Sequence, residues 1–245
     1  MWALLIVQHF AMEGGVVQAE SGLVRKQFED IYSHGGWGGL GSGPGSLPHN
    51  ARPYVEYVAN LLQRHTVRTV VDVGCGDWQM WPSGTFDGID KYLGVDIVES
   101  VIENNKAAFP ASRYGFRTGD ATSMTLPKGD LLLCKEVLQH LPNADVFGFL
   151  EDAVRACRIV VVCDDIWIGS SSRWRRGARR LLSLIASPPV RVNQDIEPRG
   201  YRPVDYSLAP FASLPLRKRL LYESFTSPRC RTIKAIWSTE RVEAV

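Results

Sequence analysis

Apolar residues follow two alternating patterns along residues 53–165 of the chain. Five short runs rich in apolar and β-branched residues have the length of buried strands: 67–73, 92–96, 114–120, 130–137 and 158–165. In other segments the apolar side chains recur every three or four positions, which predicts helices over 53–65, 98–109 and 144–157. Strands that alternate with helices in this way predict a parallel sheet with helices on both faces.

Two later runs, 218–225 and 230–238, are separated by a short Ser-Pro-Arg turn. They predict an antiparallel hairpin at the edge of the same sheet. Together the seven runs predict an α/β fold built on a doubly wound seven-stranded sheet, mostly parallel, with an antiparallel C-terminal hairpin strand.

The first predicted strand breaks into a tight turn within the sequence VVDVGCGDWQM, Val70 to Met80. Gly74 and Gly76 follow the apolar run, and a turn without side chains lets a ligand come close to the backbone. The dinucleotide fingerprint G-x-G-x-x-G would need a third glycine where this chain has Gln79. The turn is therefore predicted to hold something other than a pyrophosphate.

Charged side chains occur at the ends of all five predicted parallel strands. In chain order they are Asp72, Asp96, Asp120, Lys135 with Glu136, and Asp164 with Asp165. Ligands of open α/β sheets bind beyond the carboxyl ends of the strands. Any one of these aspartates taken alone is also a common helix N-cap or turn former. The ordered series predicts a ligand site at this edge of the sheet.

Charge and cysteine content narrow the class of protein. The 245 residues carry a net charge of +2, so no overall field favours nucleic acid or an anionic membrane. The five cysteines are scattered and lack metal-ligand spacing, which indicates reduced thiols rather than disulfides or a zinc site. The apolar N-terminal run ends at Val7, far short of the roughly 20 residues of a membrane span. We expect a soluble, cytoplasmic protein.

From about Gln27 to Trp237 the chain resembles the class I S-adenosylmethionine-dependent methyltransferases, a Rossmann-like family, most specifically at VVDVGCG. The resemblance implies that the glycine turn approaches the methionine part of S-adenosylmethionine. It also implies that Asp72 orients this turn and the ammonium group, that Asp96 accepts both ribose hydroxyls, and that Asp120 accepts from the adenine amino group. The residues it implies for cofactor binding are Asp72, Gly74, Cys75, Gly76, Asp96, Ile97, Asp120, Ala121 and Lys135.

Methyl transfer to a hydroxyl also needs a base within reach of the reacting oxygen. His140, in the sequence KEVLQHLP after the fourth strand, is the candidate because imidazole titrates near neutral pH. Glu136 lies four residues earlier and is expected to orient the imidazole from the same helical turn. Asp165 is a further candidate catalytic carboxylate. A purely structural histidine is the alternative for His140.

A narrower resemblance is carried by IYSHGGWGGLGSGPGS, GCGDWQ, EVLQHLP and NQDIEPRGYRPVDYSLAPF. These segments are similar to small bacterial methyltransferases of glycan and polysaccharide biosynthesis. The similarity implies a saccharide acceptor, with a mannoside 1-hydroxyl as the favoured group, and no required metal. Sugar sites combine aromatic platforms with polar side chains. The candidates for acceptor binding are His34, Trp37, Tyr201, Arg202 and Asp205, with Trp78, Trp81 and Asp195 as further possibilities; core packing is the alternative for each tryptophan.

Seven glycines within residues 35–45 predict a loop, which is either a flexible linker or, because it contains Trp37, an ordered lid. We divide the chain into an N-terminal segment with this lid, 1–50, and a methyltransferase domain, 51–245. The domain is expected to carry a substrate-covering insertion around 166–215.

Five arginines between residues 173 and 180 form a basic segment. A solvated helix face is one interpretation, and contact with an anionic acceptor is the other. The second supports an RNA or nucleotide methyltransferase as the alternative function, although the small net charge disfavours nucleic acid as a partner. A non-enzymatic scaffold is the third possibility. The apolar N-terminus and the hairpin edge suggest a homodimer.

Overall fold

The computed structural model describes residues 25–35, 39, 41–170, 191–198, 200–227 and 230–240. These contain the strands β1 (Thr69–Val73), β2 (Lys91–Asp96), β3 (Tyr114–Thr118), β4 (Gly129–Lys135), β5 (Cys157–Ser170), β6 (Arg217–Ser227) and β7 (Cys230–Ser238). The strands form one sheet in the order β3-β2-β1-β4-β5-β7-β6. Strands β1 to β5 pair in parallel, and β7 is antiparallel to both β5 and β6. The predicted fold class is confirmed.

Four helices accompany the sheet within the described ranges. Helix α1 covers residues 25–33, and the others are α2 (Pro48–Arg64), α3 (Glu99–Ala108) and α4 (Asn143–Ala156). The prediction was wrong about the start of α2, which begins at Pro48 rather than Pro53. Pro48 occupies the first turn, where a missing N–H costs nothing. Pro53 therefore lies inside the helix.

The predicted boundary between the N-terminal segment and the methyltransferase domain, at residues 50 and 51, lies within α2. Asn50 is buried, and its amide donates to the carbonyl oxygens of Pro44 and Phe225, both at 2.8 Å. The amide oxygen of Asn50 accepts from the backbone N–H of Phe225 at 3.2 Å. Asn50 thus joins the end of the glycine-rich segment to the edge strand β6.

Strand β5 continues to Ser170, beyond its predicted end at Asp165. Residues 167–170 pair with β7 after a register shift between Asp165 and Trp167. This extension has no signal in the apolar run itself, because it depends on a hairpin more than sixty residues later in the chain. The long β5–β7 ladder fixes β7 beside the carboxyl end of the parallel sheet.

Side chains are buried on both faces of the sheet. On one face α2 packs Tyr54, Val58 and Leu61 with a group of aromatic rings, which we call the α2-side core. On the other face α4 packs Phe149 and Leu150, which we call the α4-side core. Helices on both faces are what the alternation of strands and helices predicts.

Trp78 and Trp81 belong to the α2-side core and are 7% and 8% exposed. The indole N–H of Trp78 donates to the hydroxyl of Tyr92 at 2.8 Å, and its ring stacks on Phe86 with centroids 6.0 Å apart. An acceptor platform and core packing were both open for these tryptophans. The structure places both in the core.

None of the helices in the described ranges is both long enough and apolar enough to cross a membrane. The apolar N-terminal run, Trp37 and the basic segment 173–180 lie outside the described residues.

The burial of Trp78 predicts a large cost for its truncation. Trp78→Ala should lower the free energy of unfolding by about 3–5 kcal/mol, because it removes a buried indole and leaves a cavity. Urea denaturation followed by circular dichroism measures this change. Trp167 is 42% exposed and lies under the Arg231 guanidinium, so Trp167→Ala is the matched control and should cost about 1 kcal/mol or less. Equal losses in the two variants would contradict the core assignment of Trp78.

Candidate active site

A cleft of about 620 Å³ lies at the carboxyl ends of the parallel strands. It is lined by the turns that follow β1 to β5, by residues 42–46 and by two residues of α1, Phe28 and Tyr32. This is the position at which open α/β sheets bind ligands. Its volume lies within the roughly 300–1,000 Å³ that is usual for small-molecule sites.

The turn after β1 requires its glycines for conformation and for packing. Gly74 and Gly76 have φ angles of 75° and 57°, in the left-handed region that favours glycine. A Cβ atom on Gly74 would collide with the side chain of Val137, and one on Gly76 would collide with Ser42. Both glycines and the buried Cys75 between them line the cleft.

Asp96 and Ile97 line the cleft at the end of β2. The Asp96 carboxylate accepts backbone N–H groups from Gly76 and Val98, both at 3.0 Å. Burial raises the pKa of Asp96, while these hydrogen bonds act in the opposite direction. Asp96 therefore ties the glycine turn to β2 and keeps further lone pairs on both oxygens.

Asp120 and Ala121 line the cleft after β3. One oxygen of Asp120 accepts from the backbone N–H and the hydroxyl of Thr122, at 2.9 and 2.8 Å. Five of the predicted strand-end residues thus meet at one cleft: Asp96, Asp120, Lys135, Glu136 and Asp165.

Asp72 is not among the residues that line the cleft, and its role in orienting the glycine turn and the ammonium group stays a prediction. Val71 and Val73 face the α4-side core, so the two-residue period of the strand turns Asp72 to the opposite face. There it is 1% exposed and accepts from the hydroxyl of Tyr92 at 2.6 Å. Burial among these rings raises the pKa of Asp72 to about 6.

The described part of the glycine-rich segment packs against the cleft. Ser42 accepts from the backbone N–H of Asp77 at 2.7 Å, and its own N–H donates to the Asp77 carboxylate at 3.0 Å. The Ser42 hydroxyl also bonds to the hydroxyl of Tyr32 at 2.8 Å. These contacts agree with an ordered covering segment; its movement as a lid stays a prediction.

Four buried charged side chains form the floor of the cleft, and we call them the ionic cluster: Lys135, Glu136, Asp165 and Lys234. The Glu136 carboxylate accepts from Lys135 at 2.9 Å and lies 2.5 Å from the ammonium of Lys234. Lys234 also donates to Asp165 at 2.7 Å. Two ammonium groups thus alternate with two carboxylates along β4, β5 and β7.

Ion pairing decides the protonation states in the ionic cluster. Burial alone would raise the pKa of Glu136, but the ammonium groups of Lys135 and Lys234 hold that pKa well below its usual value. Burial alone would lower the pKa of Lys234, but Glu136 and Asp165 raise it. The ion pairs thus outweigh burial and keep Glu136 and Lys234 charged at neutral pH.

Two lysines belong to the ionic cluster, and only one of them was predicted at the site. Lys135, predicted at the cofactor, lines the cleft, and its buried ammonium donates to Glu136 and to the carbonyl of Gly45, the latter at 3.0 Å. Lys234 was not predicted as a site residue. The only signal for it in the sequence is a lysine inside the apolar strand run TIKAIW.

The structure fixes the imidazole of His140 by a partner that sequence reasoning missed. Nδ1 lies 3.0 Å from the carbonyl oxygen of Gly200, and a carbonyl can only accept, so Nδ1 carries the proton. Nε2 therefore keeps its lone pair. It lies 3.5 Å from the amide nitrogen of Gln139, whose oxygen accepts from the backbone N–H of Asp165 at 2.9 Å.

Glu136 does not orient His140, contrary to the prediction of a shared helical turn. Glu136 has a φ angle of 59° and precedes the short 3-10 turn Leu138–His140, so it lies outside that turn, and the imidazole bonds to Gly200 instead. Loss of solvation lowers the pKa of His140, while the charges of Glu136 and Asp165 act in the opposite direction. His140 is thus neutral at neutral pH and able to accept a proton.

Only some of the predicted acceptor residues reach the cleft. Tyr201 lines it, and its hydroxyl donates to Asp165 at 3.0 Å. Arg202 is fully buried and does not line the cleft. Its guanidinium donates to the Leu138 carbonyl and the Asn143 side chain.

The remaining candidates also lie elsewhere, contrary to their predicted role. Asp205 pairs with Lys218 at 3.0 Å, and His34 is exposed and bonds to the carbonyl of Asp30. Asp195 accepts from the backbone N–H of Asn143 at the start of α4. Among the described candidates for acceptor binding, only Tyr201 and the core residue Trp78 line the cleft.

Within the described residues, no group of three or more histidine, cysteine or acidic side chains is arranged to hold a metal ion. Cys75, Cys134, Cys157 and Cys163 are free and buried.

The ionic cluster predicts that removing one ammonium group is costly and that the cost depends on pH. Lys234→Met should lower the free energy of unfolding by about 3–5 kcal/mol at neutral pH, because Glu136 and Asp165 lose their shared partner. The depressed pKa of Glu136 contributes stability above the unfolded value of 4.5, and this contribution is lost as pH falls. The deficit of the variant should therefore shrink in acid.

Urea denaturation at about pH 7 and about pH 3, on either side of the unfolded pKa of Glu136, measures both effects. Lys106→Met is the matched control, since Lys106 is half-exposed and pairs with Glu103 on the surface of α3. It should cost about 0.5 kcal/mol or less. A deficit for Lys234→Met that is small, or that grows in acid, would contradict the assignment.

Residues 71–159 match the family described as a methyltransferase domain. No curated protein sequence matches the chain.

Among solved structures, the chain is similar to magnesium protoporphyrin IX methyltransferase from Synechocystis PCC 6803, with 14% identity and a TM-score of 0.49 over 75% of this chain and 82% of that one. It is similar to a methyltransferase from Mesorhizobium loti, with 15% identity and a TM-score of 0.49 over 76% and 97%. For human N-acetylserotonin methyltransferase the identity is 20% and the TM-score 0.43, over 74% of this chain and 50% of that one. The strand order of the sheet is that of a Rossmann-like fold, and residues 71–159 within it match a methyltransferase domain.

Proposed function

We propose that this protein transfers a methyl group from S-adenosylmethionine to a hydroxyl of a saccharide or polysaccharide precursor, with His140 as the general base. A mannoside 1-hydroxyl is the acceptor that the sequence favours. The observation that carries the proposal is the hydrogen bond from Nδ1 of His140 to Gly200, which leaves an unprotonated Nε2 in the cleft. A base of this kind suits a hydroxyl acceptor.

The described residues fit the cofactor. Asp96 carries one backbone hydrogen bond on each oxygen and retains lone pairs for two neighbouring ribose hydroxyls. Asp120 and Ala121 continue the same edge of the cleft, where an adenine would lie. When bound, S-adenosylmethionine supplies an electrophilic methyl group on a sulfonium.

The side chains around His140 suit a sugar. The imidazole lies between Tyr201 and Phe28, with ring centroids 5.6 and 6.3 Å away. Aromatic rings offer apolar surface for the C–H faces of a sugar, and Tyr201 adds a hydroxyl at its edge. The role of His140 is to take the proton of the acceptor hydroxyl on Nε2 as the new C–O bond forms.

The cofactor assignment predicts a selective loss of binding. Asp96→Ala should weaken S-adenosylhomocysteine binding by at least about 100-fold, because two ribose hydroxyls lose a charged acceptor. Isothermal titration calorimetry measures this change without turnover. The matched control is Asp90→Ala, which removes an exposed carboxylate that pairs with Arg68 and should leave the affinity unchanged. Unchanged affinity in Asp96→Ala would refute the assignment.

The base assignment predicts a loss of rate without a loss of cofactor binding. His140→Ala should lower kcat by about 100-fold or more and leave the affinity for S-adenosylhomocysteine intact. Wild-type activity should fall as pH drops through the lowered pKa of His140, below the ordinary 6.5, because protonation removes the base. This acidic limb should be absent from His140→Ala.

The test uses a labelled methyl donor with a panel of short mannosides, glucosides and RNA oligonucleotides. His49→Ala, which changes an exposed histidine on α2, is the control and should keep the wild-type profile. Loss of cofactor binding in His140→Ala would make His140 structural. Methylation of RNA alone would favour the alternative function.

A further inference from the structure

We infer that the acceptor is uncharged near its reacting hydroxyl, and that the enzyme discriminates against a phosphorylated form of the same saccharide. The inference rests on the proposed function and concerns the chemistry of its acceptor. The evidence for it is the exposed fraction of each side chain in the ionic cluster.

All four members of the ionic cluster line the cleft, and the carboxylate of Glu136 is the most exposed of them. Its side chain is 17% exposed, whereas those of Lys135 and Lys234 are 4% and 2% exposed. Asp165 is intermediate, at 6%. A ligand that enters the cleft therefore meets negative charge first, with the compensating ammonium groups beneath it.

The ammonium groups of Lys135 and Lys234 already have protein partners. Lys135 donates to Glu136 and to the carbonyl of Gly45, and Lys234 contacts both Glu136 and Asp165. They are the only lysine or arginine side chains among the described residues that line the cleft. His140 adds no positive charge, because its pKa is lowered. Within this part of the chain no accessible cation is available to bind a phosphate.

The same arrangement suits a neutral polyol. Both lysines contact Oε1 of Glu136, and a Cβ atom on Gly45 would collide with Oε2, so a ligand hydroxyl can reach this carboxylate only at its exposed part beside that glycine. Because Lys135 and Lys234 keep Glu136 ionised, this carboxylate can only accept. A sugar hydroxyl is a donor and fits it. A phosphate offers acceptors and negative charge, and like charges brought together in a cleft repel strongly.

The experiment compares mannobiose with mannobiose phosphorylated at O6 of its reducing sugar, both with a free 1-hydroxyl. Wild-type enzyme should show kcat/KM at least about 100-fold lower for the phosphorylated sugar. Glu136→Gln should reduce this ratio by about 10-fold or more, because the amide carries no charge. Glu103→Gln makes the same chemical change on the exposed surface of α3 and should keep the wild-type ratio.

S-adenosylhomocysteine titration and thermal denaturation establish whether each variant is folded. If Glu136→Gln does not fold, the ratio of kcat/KM for the two sugars in the wild-type enzyme tests the inference by itself. Equal or better use of the phosphorylated sugar would overturn the inference and leave the proposed function standing. It would also direct attention to the arginines between 173 and 180. A ratio that Glu136→Gln does not change would likewise overturn it. If neither sugar is methylated while the cofactor binds, the saccharide assignment itself fails.

Discussion

Burial of four alternating charges beneath one cleft is the constraint on which the rest of the site depends. An unpaired charge is very unfavourable in a protein interior, so Lys135, Glu136, Asp165 and Lys234 are stable there only when all are in place. Because they come from β4, β5 and β7, the pairing requires the antiparallel strand β7 to lie against the carboxyl end of the parallel sheet. The ion pairs of the site therefore form only in a sheet that places β7 next to β5.

The ionic cluster also explains two local features at the end of β4. Glu136 has a positive φ angle, which is uncommon for a residue with a side chain, and its backbone N–H donates to the carbonyl of Cys163 at 2.7 Å. Lys135 and Lys234 stabilise this conformation through their contacts with the Glu136 carboxylate. Lys135 extends the network to Gly45, so the glycine-rich segment is anchored to the floor of the cleft.

A second set of contacts connects the segment after β5 to His140, the proposed base. The carbonyl of Gly200 holds His140, the hydroxyl of Tyr201 holds Asp165, and the backbone N–H of Arg202 donates to the carbonyl of Gln139 at 3.1 Å. Three consecutive residues thereby fix both the tautomer of the imidazole and the position of the neighbouring carboxylate. Arg202 contributes by burial behind the site rather than by contact with a ligand.

The sequence by itself determined the order of strands and helices, the seven-stranded sheet and the edge at which Asp96, Asp120, Glu136 and His140 gather. These features follow from local periodicity and from the rule that parallel strands end together. Tertiary structure decided which strand-end side chains face the cleft and which partners they meet. Asp72 turned into the aromatic core, and Lys234 and Gly200 entered the site from segments far along the chain. A one-residue change of position reverses the face of a strand, and a hydrogen-bond partner distant in sequence leaves no local pattern, so only the folded chain could settle these points.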